Sequence, residues 1–392
     1  MVSLRLPPLR VTGYANLNAL GATRGEILSA LEAGRSGLAP PAEDLGFETA
    51  VGAVRAELPE LPVELDPWST RLARMLARLL LDLDEPLRRA RARWQPERIG
   101  VILGTSTAGV NATELAYQAY VANGALPRTY DFRRQHTFGA LLHVVSELSG
   151  AQGPMWMTST ACTSSAKPLA SAQRLIAADI LDAAIVGGLD TLCSLTLLGF
   201  QSLQLLSRQP CRPFSARRSG ISLGEGGCLA LVEREGEARV LVESVGETSD
   251  AYHISAPHPE GRGARDAMAS ALAQAGCRPD EVDHINAHGT GTPLNDSAEA
   301  KAIAGLFGDQ VPVVSTKGYT GHTLGAAGAI EFAFAAYALE EGWIPPSLHV
   351  DPLDPELALN VPRTLTRGPF RRVLSNAFAF GGSNVSVLVR SA

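Results

Sequence analysis

Short apolar runs alternate with longer stretches of helical spacing along the whole chain. Leu9-Arg10-Val11-Thr12-Gly13-Tyr14 alternates apolar with polar and predicts a strand ending in a turn. Ala22 to Ala33 predicts a helix that stops near Gly34, and Ser69 to Leu87 carries apolar residues at helical spacing. Ile99-Gly100-Val101-Ile102-Leu103 predicts a buried strand closed by Gly104. Ala166 to Ala178 predicts a small-residue helix, and Ala183-Ala184-Ile185-Val186 the strand after it. The second half repeats the rhythm. Strands are predicted at Ala238 to Val245, Val282 to Ala287, Val311 to Ser315, Val373 to Ala377 and Val385 to Val389. Helices are predicted at Arg265 to Gly276, Asp296 to Leu306 and Gly325 to Leu339. Such alternation in both halves predicts an α/β protein with buried sheets and helices on their faces. Residue identity between the halves is not visible, so rhythm alone suggests a duplication. Ala112 to His136 fits no regular pattern and reads as an excursion covering the site; Pro210 to Gly227 reads as an Arg- and Gly-rich loop.

Composition narrows the function classes. The 392 residues are 45% hydrophobic and 19% charged, enough for a full core in two domains or one duplicated unit. A formal charge of −6, without a Lys/Arg block, gives nucleic-acid binding no electrostatic basis. The five cysteines, Cys162, Cys193, Cys211, Cys228 and Cys277, form no C-x-x-C pair, which argues against a disulfide framework or a metal site and fits a reducing cytoplasm. The first residues lack a signal-peptide core, and no apolar run reaches membrane-spanning length.

Three residues change the picture. Cys162 lies in Thr158-Ser159-Thr160-Ala161-Cys162-Thr163-Ser164-Ser165, ahead of the predicted helix that Thr163, Ser164 or Ser165 would cap. A helix N-terminus favours thiolate. Read alone, Cys162 is either such a nucleophile or an inert buried thiol. His288 sits in Ala287-His288-Gly289-Thr290-Gly291-Thr292, and His322 ends Lys317-Gly318-Tyr319-Thr320-Gly321-His322. Each alone is also read as a loop histidine capping a turn. One thiol and two imidazoles, all in small-residue settings, suggest covalent acyl chemistry with separate work for each base. A buried lysine needs a partner, and Glu299 is the candidate for Lys317; two unrelated surface charges are the other reading. Gly381-Gly382, in Phe378-Ala379-Phe380-Gly381-Gly382-Ser383-Asn384, permit unusual backbone angles and exposed N–H groups, as an oxyanion hole or a plain turn requires.

Together these segments resemble the β-ketoacyl-acyl-carrier-protein synthases, most closely the elongating, decarboxylating types I and II. The likeness runs from Val11-Thr12-Gly13 through Cys162, Arg212-Pro213-Phe214, Gly224-Glu225-Gly226, Asp250-Ala251-Tyr252-His253, His288-Gly289-Thr290 and Lys317 to His322, and ends at Phe380-Gly381-Gly382-Ser383-Asn384. The resemblance implies the thiolase fold, a duplicated five-layered α/β/α/β/α core. Residues 1–235 would carry the nucleophile and 236–392 the two histidines. It implies that Cys162 takes the acyl chain as a thioester. The N–H groups of Cys162 and Phe380 would form the oxyanion hole, and His288 and His322 would promote decarboxylation of malonyl-acyl-carrier protein. Lys317 paired with Glu299 would hold the electrostatic network. Thr290 and Thr292 would contact the carrier's phosphopantetheine, and Phe380 would gate the pocket. No bound cofactor is implied beyond that arm. The partners implied are acyl carrier protein and a second subunit, either another copy or a chain-length-factor-like chain.

Three departures bear on the substrate. Lys167-Pro168 falls in the helix after Cys162, Ile221 stands where the family often has phenylalanine, and Thr105-Ser106-Thr107-Ala108-Gly109 replaces a Gly-rich loop that helps set chain length. Thr107 and Ile221 are therefore read as pocket residues, and the synthase as specialised, for polyenes or another secondary metabolite. The competing readings are an initiating synthase, which carries His plus Asn where this chain has His288 and His322; a thiolase, which brings a second catalytic cysteine near the C-terminus, where this chain has Phe378-Ala379-Phe380-Gly381; and a non-catalytic chain-length-factor-like subunit, which typically lacks the cysteine.

Overall fold

A computed structural model describes residues 5–392. Ten of its strands form one hydrogen-bonded array, and their order exposes the duplication that residue identity hides. The first half contributes β1 (Leu9–Leu17), β2 (Ile99–Gly104), β3 (Met155–Thr158), β4 (Ala183–Asp190) and β5 (Gly226–Glu233). The second contributes β6 (Val240–Ser249), β7 (His284–Asn286), β8 (Val313–Val314), β11 (Arg372–Phe378) and β12 (Ser383–Ser391). Two short strands, β9 (Trp343–Ile344) and β10 (Thr366–Arg367), pair separately. The order is β3-β2-β4-β5-β1-β6-β12-β11-β7-β8. Counted within its own half, each five-stranded set runs 3-2-4-5-1. The sets meet where Leu9, Arg10 and Val11 pair with Val242, Leu241 and Val240.

Helices fill three layers around the two sheets. Lys167–Ala177 and Ala327–Glu341 lie between them, and their small residues share one core with strands of both halves. Arg71–Asp82 and Phe138–Ser149 cover the outer face of the first sheet, and Arg262–Ala275 with Pro293–Phe307 that of the second. This is the five-layered thiolase fold. Burial dictates the layering: Ala327–Glu341 is buried on nearly every side, as a central helix must be.

Two predicted elements fold differently. The periodic stretch Ser69 to Leu87 is two helices, Arg71–Asp82 and Asp84–Arg93. Pro86 has no N–H to donate to Asp82, so the first ladder cannot continue, although Leu83 and Leu87 stay buried. The excursion Ala112 to His136 contains a helix, Val110–Asn123, ended by Gly124 at φ 75, and a short helix, Phe132–Gln135. Only Ala116 of the longer helix is buried, so no apolar stripe marked it. It does not wall the thiol's cavity. It packs beside the helix Ser194–Ser202, whose first N–H groups, at Ser194 and Leu195, donate to Glu114.

Candidate active site

Cys162 follows β3 in a turn that the backbone makes under constraint. Ala161 holds φ 49, the left-handed region where a Cβ is unfavourable. The following hydroxyls fix this turn instead of capping a helix: Ser164 donates to Ala161 O, and Thr163 to Thr160 O. The helix starts only at Lys167, with Ala166 as its uncapped flank. Pro168 therefore lies in the first turn, where no N–H is needed, and kinks nothing.

The second half brings both imidazoles to the thiol. His322 Nε2 lies 2.9 Å from Cys162 Sγ, and the two imidazole rings stand edge to face with centroids 5.2 Å apart. His288, His322 and Cys162 are each at least nine-tenths buried. Burial pushes the thiol up to about 12, against the pull of the Lys317 charge and the N–H groups of Phe380 and Cys162 itself. The Phe380 and Cys162 N–H groups thus favour negative charge beside the sulfur, the electrostatics an oxyanion hole requires. Gly381 and Gly382, at φ 84 and 77, make the turn that presents Phe380. Burial, and then the Lys317 charge, hold both imidazoles well below their usual range. At neutral pH the resting pair is a thiol facing a neutral imidazole.

Lys317 is 1% exposed and finds three acceptors for its three N–H bonds. It pairs with Glu331, donates to the His288 carbonyl and lies 3.3 Å from His288 Nδ1. The partner expected from spacing was Glu299, and that pairing is wrong. Glu299 instead accepts the N–H groups of His288, at 2.8 Å, and Gly289, at 2.7 Å, and so clamps the loop that carries the imidazole. Burial lifts both carboxyls to about 7. Glu331 was missed although its signal was present: one acid inside the apolar run Ala327 to Leu339.

Cys162 opens into a cavity of about 240 Å³. Thr290, Thr292, Ile221 and Phe380 line it as the sequence suggested, and Phe200, Leu205 and Phe378 complete an apolar wall. The hydroxyls of Thr290 and Thr292 are 2.9 Å apart. Phe380 is 40% exposed at the mouth, against Phe200 at a centroid distance of 6.0 Å. Thr107 is the other correction. It is buried outside this lining, its hydroxyl and N–H both donating to Asp190, so the side chain is spent on the backbone's support. The ligand atoms of Cys162, His288 and His322 lie within 4.8 Å of one another, a spacing a metal ion accepts; the Lys317 ammonium beside His288 opposes a second cation there. No helix of the described residues is long and apolar enough to cross a membrane.

Known proteins are similar to this chain in sequence and fold. The family models described as Beta-ketoacyl synthase, N-terminal domain, and Beta-ketoacyl synthase, C-terminal domain, match residues 65–238 and 240–351. Nodulation protein E of Rhizobium meliloti (strain 1021) is 34% identical across 95% of this chain and 96% of its own. The 3-oxoacyl-[acyl-carrier-protein] synthase 2 of Staphylococcus aureus is 36% identical across 75% of this chain and 77% of its own. Among solved structures, the ketosynthase (ApeO) in complex with its chain length factor (ApeC) from Xenorhabdus doucetiae superposes with a TM-score of 0.92, at 37% identity over 98% of both chains. The ishigamide ketosynthase/chain length factor does so at 0.87, with 27% identity over 99% of this chain and 100% of that one.

Proposed function

The chain belongs to the β-ketoacyl synthase family of acyltransferases, and on that premise we propose that it condenses an acyl group held on Cys162 with malonyl-acyl-carrier protein. The observation that carries this reading is the 2.9 Å contact between Cys162 Sγ and His322 Nε2, with His288 beside it. The thiol proton passes through His322 to the departing carrier thiol as the Cys162 thioester forms. Malonyl carrier then loses carbon dioxide, and the electron pair moves onto the thioester oxygen as an enolate. Imidazole N–H donors hold that oxygen; Lys317, donating toward His288 Nδ1, keeps the proton on Nε2. The enolate carbon bonds to the Cys162 acyl carbon, the carbon–sulfur bond breaks, and the cysteine sulfur takes a proton from solvent. The pantetheine arm reaches the cavity past Thr290 and Thr292. No bound cofactor enters these steps.

The substrate reading is an unsaturated chain built in specialised metabolism, and the partner reading a chain-length-factor-like subunit. The substrate reading rests on Ile221 in the cavity lining, where the family often has phenylalanine, and the partner reading on the likeness to the ketosynthase and chain length factor complexes. The exposed apolar residues Leu195 and Leu198, on one face of the helix Ser194–Ser202, support a protein partner. Five free, buried cysteines fit a reducing compartment. A single-turnover assay tests the whole: acyl-carrier substrates of graded length and unsaturation, with malonyl carrier, alone and with a candidate partner. Formation of β-ketoacyl carrier, fastest on unsaturated chains, is expected. Preference for plain saturated chains overturns the substrate reading, and activity of the chain alone as a homodimer overturns the partner reading.

A further inference from the structure

We propose that Asp190 is a positioning residue that sets the distance between Cys162 and His322 from behind both, by tying the loop that braces the Cys162 turn to the turn that follows His322. Asp190 ends β4, is fully buried, and has no cationic partner among the described residues. Donors from two loops surround its carboxylate instead. Its Oδ1 accepts the hydroxyls of Thr105, at 2.6 Å, and Thr107, at 2.7 Å, and the N–H groups of Ser106, at 2.9 Å, and Thr107, at 2.7 Å. Its Oδ2 accepts Ser106 N–H, at 3.0 Å, and Ala326 N–H, at 3.1 Å.

The two oxygens face different catalytic groups. On the Oδ1 side, the loop after β2 reaches the nucleophile's turn, because Ser106 Oγ donates to Ala161 O at 3.2 Å, one residue before Cys162. On the Oδ2 side, Ala326 closes the turn Leu324–Ala326 that follows His322, in which Leu324 holds φ 52. Gly325 closes the circuit: its carbonyl accepts Ser165 N–H at 3.0 Å, and a Cβ there would stand 2.6 Å from Asp190 Oδ2. A bare carboxylate, acceptor at both oxygens, fits this site where an amide does not. An asparagine that keeps its oxygen toward Thr105 and Thr107 turns its NH2 against Ala326 N–H. The turn behind His322 is then pushed off, and the imidazole with it. Displacements near 1 Å at such sites cost up to about 10²-fold in rate.

The inference rests on the condensing role proposed above, but its test needs neither acyl nor malonyl substrate, so the two fail separately. The rate of Cys162 alkylation by iodoacetamide at pH 7.5 is measured beside the urea unfolding midpoint for Asp190→Asn, Ser106→Ala and Ser244→Ala. Asp190→Asn is expected to slow alkylation by about tenfold or more, because His322 no longer takes the thiol proton. Ser106 is exposed, so Ser106→Ala keeps the wild-type midpoint while slowing alkylation about threefold. Ser244→Ala removes a buried hydrogen bond to Ala271 O in the second sheet's outer layer, away from both catalytic turns, so its midpoint falls while its alkylation rate stays at the wild-type value. Wild-type alkylation in both Asp190→Asn and Ser106→Ala overturns the proposal. So does a slowing that tracks the midpoint across all three variants, which marks a merely structural role. If Asp190→Asn does not fold, Ser106→Ala decides alone.

Discussion

Replacing Lys317 with methionine keeps its length and removes its charge, and the structure sets the size of two effects. The first is on stability. Burial raises Glu331 from 4.5 to about 7 even with the ammonium beside it, which corresponds to about 3 kcal/mol already spent against ionising it. A carboxyl whose folded value is raised loses stability as pH climbs from its unfolded value to its folded one, and is flat above that. In the wild type this loss is complete just above pH 7. Without Lys317 the folded value moves higher, so Lys317→Met keeps losing about 1.4 kcal/mol per pH unit beyond pH 7. Unfolding entropy of about 2.1 cal/mol/K per residue over 392 residues gives about 0.8 kcal/mol/K, so the gap in Tm widens by about 3 °C between pH 7 and pH 9. The second effect is on chemistry. His288 loses the donor at Nδ1 that keeps its proton on Nε2, and malonyl decarboxylation falls by about 10²- to 10³-fold, the loss typical of one oxyanion donor. Carbon dioxide release and Cys162 acylation are followed separately, with thermal unfolding scanned across pH. A Tm gap that stays constant from pH 7 to 9, or equal losses in both half-reactions, refutes the reasoning.

Other variants test single parts of the site. Cys162→Ala abolishes condensation and iodoacetamide incorporation at that position; product from the pure variant contradicts the covalent step. His288→Ala slows decarboxylation more than acylation of Cys162, read from the two half-reactions, and equal losses count against a donor role. Ile221→Phe places a ring into the cavity wall beside Leu206 and Leu223; overpacking lowers stability by about 1–3 kcal/mol and shifts preference to shorter acyl carriers, and an unchanged length profile removes Ile221 from the specificity wall.

How much of this could be read beforehand depended on whether a residue's partner lies near it in sequence. Cys162 and His288 each sit in a small-residue turn after a strand, and His322 in one after the short helix Lys317–Thr320, so local pattern marked them. The strands at Ile99 and Ala183 were legible because buried parallel strands are continuous apolar runs. The Lys317 partner was not legible: Glu299 and Glu331 are both acids on helices after the right strands, and only the packed middle layer brings Glu331 to the ammonium. Thr107 failed for a related reason, since its neighbour Ser106 faces out while its own side chain turns inward to Asp190. The helix Val110–Asn123 stayed hidden because its apolar residues, Leu115, Tyr117 and Val121, face outward and give no core-facing period.

The repeated strand order has a consequence for how such a catalyst is divided. Cys162 follows the third strand of the first half, and Lys317 and His322 follow the third strand of the second. The same topological station thus carries a thiol in one copy and its proton acceptor in the other. Neither copy is chemically sufficient, and no trimming of the chain to a single repeat retains the reaction. Yet the sheets are stitched edge to edge over only three residue pairs, with most of the joint made by the two helices sandwiched between them. A chain cut between Glu233 and Val240 severs no strand, so two fragments expressed separately have a complete packing surface on which to find each other and regenerate the acyl-transfer centre.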